Sequence, residues 1–374
     1  MKKIYFDNAS TTAILPEVIA EMTRSLQEDF GNPSSTHSFG RSSKTAIETA
    51  RKNIAKQINA TAQEIIFTSG GTEANNLVLR SAVENLGIQR IITSKIEHHA
   101  VLHTVEALQK TNVFRIDFVE LEANGNISLP HLEKLLEEKI PTLVSLMHVN
   151  NETGNILDIK KVAQICHQNQ ALFHSDTVQS MGKTELDLQE IPVDFIVASA
   201  HKFHGPKGVG FLFVRKNTGL QPIIFGGEQE KGLRAGTESV HNIVGMAKAF
   251  ELSYENLEVD RHHISELKNY FIKQLESNFP EFKINGNQDG FYNIVNVLLP
   301  FSEDKTSMIL FNLDMKGIAV SRGSACQSGS IKPSHVLQEI LSEDDIRKPS
   351  LRISFSHFNS QEDVDILIEA LKGI

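Results

Sequence analysis

The run Val193-Asp-Phe-Ile-Val-Ala-Ser-Ala-His-Lys is an apolar strand pattern that delivers Ser199, His201 and Lys202 to one strand end. A lysine desolvated at the mouth of a sheet becomes a nucleophilic amine suited to Schiff-base chemistry. Taken singly it could equally be one more solvated surface lysine, although the strand before it argues against a random surface position. Lys207, inside Gly205-Pro-Lys-Gly, reads as turn chemistry instead. Asp176 ends the strand pattern of Phe173-His-Ser-Asp-Thr-Val-Gln, so its carboxylate would stand at the carboxyl edge of a sheet, where open α/β folds hold ligands and where a cofactor nitrogen could pair with it. Asp176 followed three residues later by Gln179 is also a capping-box pattern, and both readings stand.

Three more segments could act on a substrate. Phe67-Thr-Ser-Gly-Gly-Thr-Glu-Ala-Asn-Asn follows a strand pattern and opens a helix pattern, so the backbone N–H groups at Gly71 and the Thr72 hydroxyl could hold a phosphate at the positive helix end. A tight turn with an N-cap is the plainer alternative, and the run is neither a P-loop nor a dinucleotide turn. Cys326 lies among small polar residues in Ser321-Arg-Gly-Ser-Ala-Cys-Gln-Ser-Gly-Ser, which predicts an accessible thiol whose thiolate Arg322 and Lys332 could favour. The other cysteine, Cys166, has helical apolar neighbours and reads as core. His98 could stack on a planar group or move protons, or be merely an exposed helix-start residue. Arg352 could clamp a carboxylate with its planar fork, or make a surface ion pair.

The elements that must position these groups are legible as alternation. From about residue 64 to 215, β-rich runs at 64–68, 90–93, 113–116, 142–147, 171–174, 194–198 and 210–214 alternate with helical patterns. That order argues a largely parallel α/β sheet. Ala46, Ala50, Ile54 and Ile58 mark one helix face, and Pro16 stands where a first helical turn begins. After residue 255 the pattern changes to a charged helix through 261–278, strands near 294–300 and 351–356, and helices around 303–316 and 361–372, a smaller α+β part.

Composition bounds the function classes. With 374 residues, 40% hydrophobic and 22% charged, the chain can bury more than one core. A formal charge of −9 gives no general attraction to nucleic acid or anionic membranes. No apolar run approaches the ~20 residues of a membrane helix and the first residues lack a secretory pattern, so a cytoplasmic location is expected. Two cysteines make no disulfide framework, and the 15 scattered histidines show no paired zinc spacing, so no metal is expected.

Taken in order, these segments resemble the class V aminotransferase group of fold-type I pyridoxal-phosphate (PLP) enzymes, and within it the cysteine desulfurases. The likeness runs from Tyr5-Phe-Asp-Asn-Ala-Ser-Thr-Thr and Gly31-Asn-Pro-Ser-Ser through Met147-His-Val-Asn-Asn-Glu-Thr-Gly and Ser199-Ala-His-Lys to Gly323-Ser-Ala-Cys and Arg352. It implies an α/β fold with a mostly parallel seven-stranded sheet in a large PLP-binding domain, 15–254, and a small α+β domain made of 1–14 and 255–374. It also implies that Lys202 holds PLP covalently, Asp176 pairs with the pyridine nitrogen, Gln179 bonds the ring hydroxyl and His98 stacks on the ring. Gly71, Thr72, Ser199 and His201 would hold the phosphate, with Thr237 contributed by the neighbouring subunit of a homodimer with shared active sites. Asn151, at the cofactor, and Arg352 would bind the substrate carboxylate.

The reaction so implied converts L-cysteine to L-alanine, with sulfur passing to Cys326 as a persulfide, Lys202 as base and His98 assisting proton transfers, for iron–sulfur or other sulfur-cofactor assembly. The partners would be a sulfur acceptor or scaffold protein. Arg322 and Glu228 stand where the family usually has a small residue, and the sequence stops at Ile374 without the longer tail of some relatives, which bears on scaffold docking. Selenocysteine lyase or a small-substrate aminotransferase would use the same Lys202 and Asp176, and a catalytically idle assembly component would need neither. Cys326 on its polar segment favours the desulfurase.

Overall fold

The computed structural model describes residues 2–111, 113–323 and 334–374, so Cys326 and Lys332 lie outside the described residues. The first half of the chain runs β1 (Ile4–Tyr5), α1 (Pro16–Glu28), α2 (Ser38–Gln57), β2 (Ile65–Thr68), α3 (Gly71–Asn85), β3 (Arg90–Thr93), α4 (His99–Gln109) and β4 (Arg115–Phe118). It continues through α5 (Leu129–Leu136), β5 (Thr142–Ser145), α6 (Ile159–Gln168), β6 (Leu172–Asp176), β7 (Phe195–Ser199), β8 (Gly210–Val214) and α7 (Val240–Glu255). The remainder is α8 (Leu257–Asn278), β9 (Lys283–Ile284), β10 (Ile294–Leu298), α9 (Ile309–Met315), β11 (Ile318–Ala319), α10 (His335–Ile340), β12 (Ser350–Ser354) and α11 (Gln361–Lys372).

Seven strands form one sheet in the order β2-β8-β7-β6-β5-β3-β4. Pairings from β4 through to β7 are parallel, and β8 lies antiparallel between β7 and β2. Side-chain alternation explains how both faces are covered: Ile65, Phe67, Phe211 and Phe213 enter one core with α2, α6 and α7, whereas Ile66 and Leu212 enter the other with α3 and α4. The parallel strands point their carboxyl ends the same way, so the residues that follow β6 and β7 emerge together.

A separate core joins α8, α9 and α11 to β10 and β12, and Ile4 and Phe6 from the start of the chain are buried in it. There β12, β10 and β9 pair antiparallel, while β1 pairs in parallel with β11. The chain therefore begins in the core of its C-terminal elements, then crosses to the large sheet at residues 7–15.

Some boundaries differ from the sequence pattern. The strand expected at 113–116 is β4, starting at Arg115, because Arg90 of β3 sets the register opposite Arg115 and leaves Val113 exposed before the pairing begins. The charged helix begins at Leu257 rather than 261, with Glu258 and Asp260 in a first turn that favours acidic residues. The helix expected over 303–316 is a 3₁₀ turn, Glu303–Ser307, followed by α9.

One buried ion pair fixes a turn beside the large sheet. Arg51 of α2 gives two hydrogen bonds to Glu230, 2.7 and 2.8 Å, and Glu230 also accepts from the Phe67 N–H at 2.8 Å. Both side chains are buried, and the Arg51 guanidinium lies 4.4 Å over the Phe67 ring. The turn needs this hold because Glu230 and Lys231 have φ of 47° and 60°. From there the chain runs to Arg234, which binds Glu73 in the first turn of α3 at 2.9 Å. Removing Glu230 leaves the buried Arg51 guanidinium with only the exposed Glu48 carboxylate, 3.2 Å from its Nε, so Glu230→Ala should lower the unfolding free energy by about 3 kcal/mol in urea titration. A loss below about 1 kcal/mol would mean the pair is solvated and interchangeable.

Candidate active site

The carboxyl ends of β6 and β7 set the site. Asp176 is the last residue of β6 and is buried; its Oδ2 accepts from Asn75 Nδ2 at 2.8 Å and its Oδ1 from the Val178 N–H at 3.0 Å. Gln179 does not close a capping box on Asp176. Its Nε2 instead donates to the Ala9 carbonyl at 2.8 Å. Two buried acceptors beside Asp176, Gln179 Oε1 and Asn75 Oδ1, have no hydrogen-bond partner among the described residues. Buried acceptors of this kind are rare unless something else fills the site.

β7 ends at Ser199 and a single 3₁₀ turn, Ala200–Lys202, follows. Lys202 Nζ donates to two backbone carbonyls, Ala9 at 2.6 Å and Ser10 at 2.8 Å. His201 Nδ1 lies 3.2 Å from Thr11 Oγ1, and the His201 carbonyl accepts from the Thr12 N–H at 2.9 Å. Burial, with Lys202, Lys207 and Lys183 nearby, pushes the His201 imidazole down to about 4, so it is neutral at pH 7.

The turn from β2 into α3 approaches the same place. Gly70 has φ of 148° and is the N-cap of α3, without a side chain to satisfy the first N–H groups. A Cβ on Gly70 would come within 3.4 Å of Ser199 Oγ, and one on Gly71 within 2.8 Å of Val178. Both glycines thus bring bare backbone against the strand ends, the arrangement that suits an anionic group. Thr72 is exposed at this helix start and lines, with Asn76, His98, His99 and His103, a cleft of about 600 Å³ between α3 and α4.

His98 is the N-cap of α4, its Nδ1 accepting from the Ala100 N–H at 3.1 Å. Burial lowers its basicity despite the Asp176 charge, with Lys202 adding to the effect. Arg352, in β12, is buried: Nη1 donates to the Asn151 carbonyl at 2.8 Å, and Nη2 to Asp7 Oδ1 at 2.7 Å and Ser10 Oγ at 2.6 Å. Its Nε has no partner among the described residues.

Thr237 is the predicted residue that this chain does not bring to the group. It is exposed between Arg234 and α7, and no hydrogen bond among the described residues ties it to Ser199 or His201. Arg322 is half-buried, Glu228 is exposed, and Cys166 is buried in α6 with its thiol pushed up by burial, as core packing requires. No cluster of His, Cys, Asp or Glu among the described residues could hold a metal ion, and no described helix is long and apolar enough to cross a membrane.

Sequence reasoning missed Asn75 and Glu97, and it marked residues 7–12 as part of the family likeness without giving them a role. Glu97 is fully buried beside His98; Oε1 accepts from Ser94 Oγ at 2.8 Å and the Met147 N–H at 3.1 Å. Burial pushes its carboxyl up to about 8, the Asp176 charge adding a smaller push. An unfolded carboxyl titrates near ~4.3, so between there and about 8 the folded chain holds a proton that the unfolded chain has released. Stability from this group therefore falls as pH rises through that window. Glu97→Gln should gain stability relative to the parent between pH 5 and pH 8 in thermal melts. An equal difference at both pH values would show that Glu97 is already ionised.

Comparison with known proteins gives a consistent set. The family model for aminotransferase class-V matches residues 4–367. The chain is 41% identical over 376 residues to the cysteine desulfurase IscS of Dictyoglomus turgidum, covering 100% of this chain and 94% of that protein. It is 42% identical over 369 residues to the putative cysteine desulfurase IscS 1 of Bacillus subtilis, covering 97% and 96%. Among solved structures, a NifS-like protein superposes with a TM-score of 0.91 at 34% identity, covering 100% of this chain and 99% of the other. A protein solved as SspA in complex with cysteine gives 0.82 at 32%, covering 96% and 100%.

Proposed function

Because this chain belongs to the class V aminotransferase family, we propose that it is a PLP-dependent cysteine desulfurase that converts L-cysteine to L-alanine and passes the sulfur to Cys326. The observation that carries the reading is the convergence of Lys202, Asp176, His98 and a bare helix N-terminus at the carboxyl ends of β6 and β7. The residues fit PLP. Ser199, His201 and the N–H groups of Gly71 and Thr72 offer donors to a phosphate, Asp176 offers a carboxylate to a ring nitrogen, and the orphaned Gln179 oxygen stands beside it. Thr237 would complete the phosphate site from a second copy of the chain, so we propose a homodimer.

When bound, that cofactor supplies an electron sink for the substrate carbanion left by α-proton loss. Asp176 keeps a proton on the ring nitrogen, and its own position is fixed by Asn75 and Val178. Lys202, with Nζ as an uncharged amine, would take the α-proton; its Nζ lies against the Ala9 and Ser10 carbonyls. Arg352 receives the substrate carboxylate at its guanidinium edge, with Asn151 adjoining. His98, its basicity lowered by burial, would accept and return a proton beside the bound cofactor. The Cys326 thiolate attacks the substrate sulfur, an S–S bond forms as the C–S bond breaks, and reprotonation of the carbon skeleton gives alanine. In this reading 15–254 is the large domain and 1–14 with 255–374 the small one, the division falling at the last residue of α7.

A cytoplasmic location and delivery of the sulfur to iron–sulfur or related cofactor assembly follow the family pattern and belong to the same proposal. The cysteine on its polar segment favours this reaction over selenocysteine lyase or aminotransfer.

Two substitutions test it. Lys202→Ala should abolish turnover and the absorbance of covalently held cofactor, because the other described lysine buried near the site, Lys183, is on a different turn. Covalent attachment in that variant would overturn the assignment. Cys326→Ala should bind PLP and respond spectrally to L-cysteine yet release almost no sulfide. In the parent, mass spectrometry after brief exposure to L-cysteine without reductant should find added sulfur on the Cys326 peptide and none on the Cys166 peptide. Undiminished desulfuration by Cys326→Ala would move the assignment to a lyase.

A further inference from the structure

The turn after β6 ends on a lysine that the proposed reaction does not use. The turn closes through hydrogen bonds from the Met181 N–H to the Thr177 carbonyl at 2.8 Å and from the Lys183 N–H to the Ser180 carbonyl at 2.9 Å, and Gly182 supplies its positive φ of 72°. Lys183 itself is only 8% exposed, and its Nζ has no hydrogen-bond partner among the described residues. Lysines are almost never buried in this way, because an amine cut off from water must be either paired or neutral. Burial pushes this one down to about 7, with the Lys202 charge adding to the shift.

Lys183 borders a cavity of about 450 Å³ that lies between the two cores of the molecule. Leu15, Phe203 and Leu252 line it from the core of the large sheet, and Ile264 and Phe355 from the core of the C-terminal elements. A second buried polar atom without a partner among the described residues belongs to the same cavity. Asn293, just before β10, accepts at its carbonyl from the Phe355 N–H at 2.9 Å, but its side-chain Oδ1 has no such bond. The other ionisable groups of the lining are otherwise engaged or outside the pairing: Asp260 Oδ2 lies 3.3 Å from His357 Nδ1, His204 Nδ1 lies 2.8 Å from the Ala13 carbonyl, Tyr292 has its hydroxyl pushed up by burial, and Glu17 is exposed on α1. Lys202, Asp176, His98 and Arg352 do not line this cavity.

We infer that the cavity is a second ligand site, separate from the catalytic centre, for a small carboxylate that carries an adjacent hydroxyl or amino group: the carboxylate takes the Lys183 ammonium, and the adjacent group donates to Asn293 Oδ1. An ammonium can only donate and an amide oxygen can only accept, so the first needs an oxygen and the second an N–H or O–H. A water molecule could satisfy either atom but brings no counter-charge to the ammonium. A carboxylate brings that charge, and among apolar walls the resulting hydrogen bond is stronger than it would be in water. The ligand would touch both cores at once, beside Asn8 and Thr12 of the segment that joins them. The inference is independent of the role given to Cys326.

The test uses the PLP-loaded protein, titrated in a calorimeter with the visible spectrum recorded alongside, in the parent, Lys183→Met and Asn293→Ala. The probes are glycolate, N-methylglycine, whose secondary amine cannot form an imine with the cofactor, and acetate, which lacks the adjacent donor. Methionine keeps the length of the side chain and removes the unpaired amine, so Lys183→Met should fold. Glycolate or N-methylglycine should bind the parent without altering the visible spectrum, and the tighter of the two identifies the adjacent donor as hydroxyl or amine. Acetate should bind about tenfold more weakly, and Asn293→Ala should bring the other probes to the level of acetate. Lys183→Met should weaken every probe by about 100-fold. In the parent the affinity should fall about tenfold from pH 6 to pH 8, because Lys183 loses its proton through about 7 when no anion holds it. That dependence should vanish in Lys183→Met, which leaves His204, His357, Asp260 and Glu17 in place. Failure of all three probes to bind the parent would overturn the inference, as would equal affinities in the parent and Lys183→Met. A spectral change with glycolate that L-alanine prevents would overturn it too, by placing the probe in the catalytic centre, and equal affinities for glycolate and acetate would remove Asn293 from the site.

Discussion

The structure depends on one short stretch of backbone, residues 7–12, which is bonded at once to both parts of the molecule. Its carbonyls at Ala9 and Ser10 take the Lys202 ammonium, the Ala9 carbonyl also takes Gln179, and Thr11 and Thr12 bind His201. From the other side Arg352 binds Asp7 and Ser10, and the Asn8 side chain donates to the Ser354 carbonyl at 2.9 Å. The stretch therefore sets the distance between the amine that would do the chemistry and the guanidinium that would hold the substrate. Because it starts inside the small core at Ile4 and Phe6, any movement of that core relative to the large sheet moves these bonds.

Charge at the centre is arranged by burial more than by ion pairing. His201 and His98 are held neutral by desolvation, and Glu97 is held protonated. Lys183, fully buried with no hydrogen-bond partner among the described residues, is pushed down to about 7 by burial, with Lys202 adding to the effect. Of these groups, Lys183 near 7 and Glu97 near 8 are the ones for which proton transfer at neutral pH has a small driving-force penalty. Among the described residues of the group, Arg352 forms an ion pair with Asp7, which is partly accessible.

Much of this was legible in the sequence, for a physical reason. Except for β4 at the sheet edge, strands β2 to β8 are short runs buried on both faces, so their ends could be located from hydropathy, and a polar residue at such an end has few places to be except the sheet edge. Asp176, Ser199 and Lys202 were found in that way. Asn75 and Glu97 were not, because an asparagine one turn into a helix and a glutamate before a histidine look like solvent-facing residues until the strands they meet are known. The segment 7–12 was visible as the start of the family likeness and as a run of Asn, Ser and Thr after Phe6, a composition that says loop and nothing about its partners. Thr237 could be named from the family likeness but not placed within one chain, and Glu152 meets Ser334, more than 170 residues away along the chain.

The central claim, that this site breaks the C–S bond of cysteine and keeps the sulfur while releasing alanine, is tested most directly by product stoichiometry. The PLP-loaded protein would be incubated with L-cysteine and excess dithiol, and alanine, sulfide and pyruvate measured in the same samples. Alanine and sulfide should accumulate in equal amounts with no pyruvate. Pyruvate in place of alanine, or no sulfide above a control lacking protein, would contradict the account.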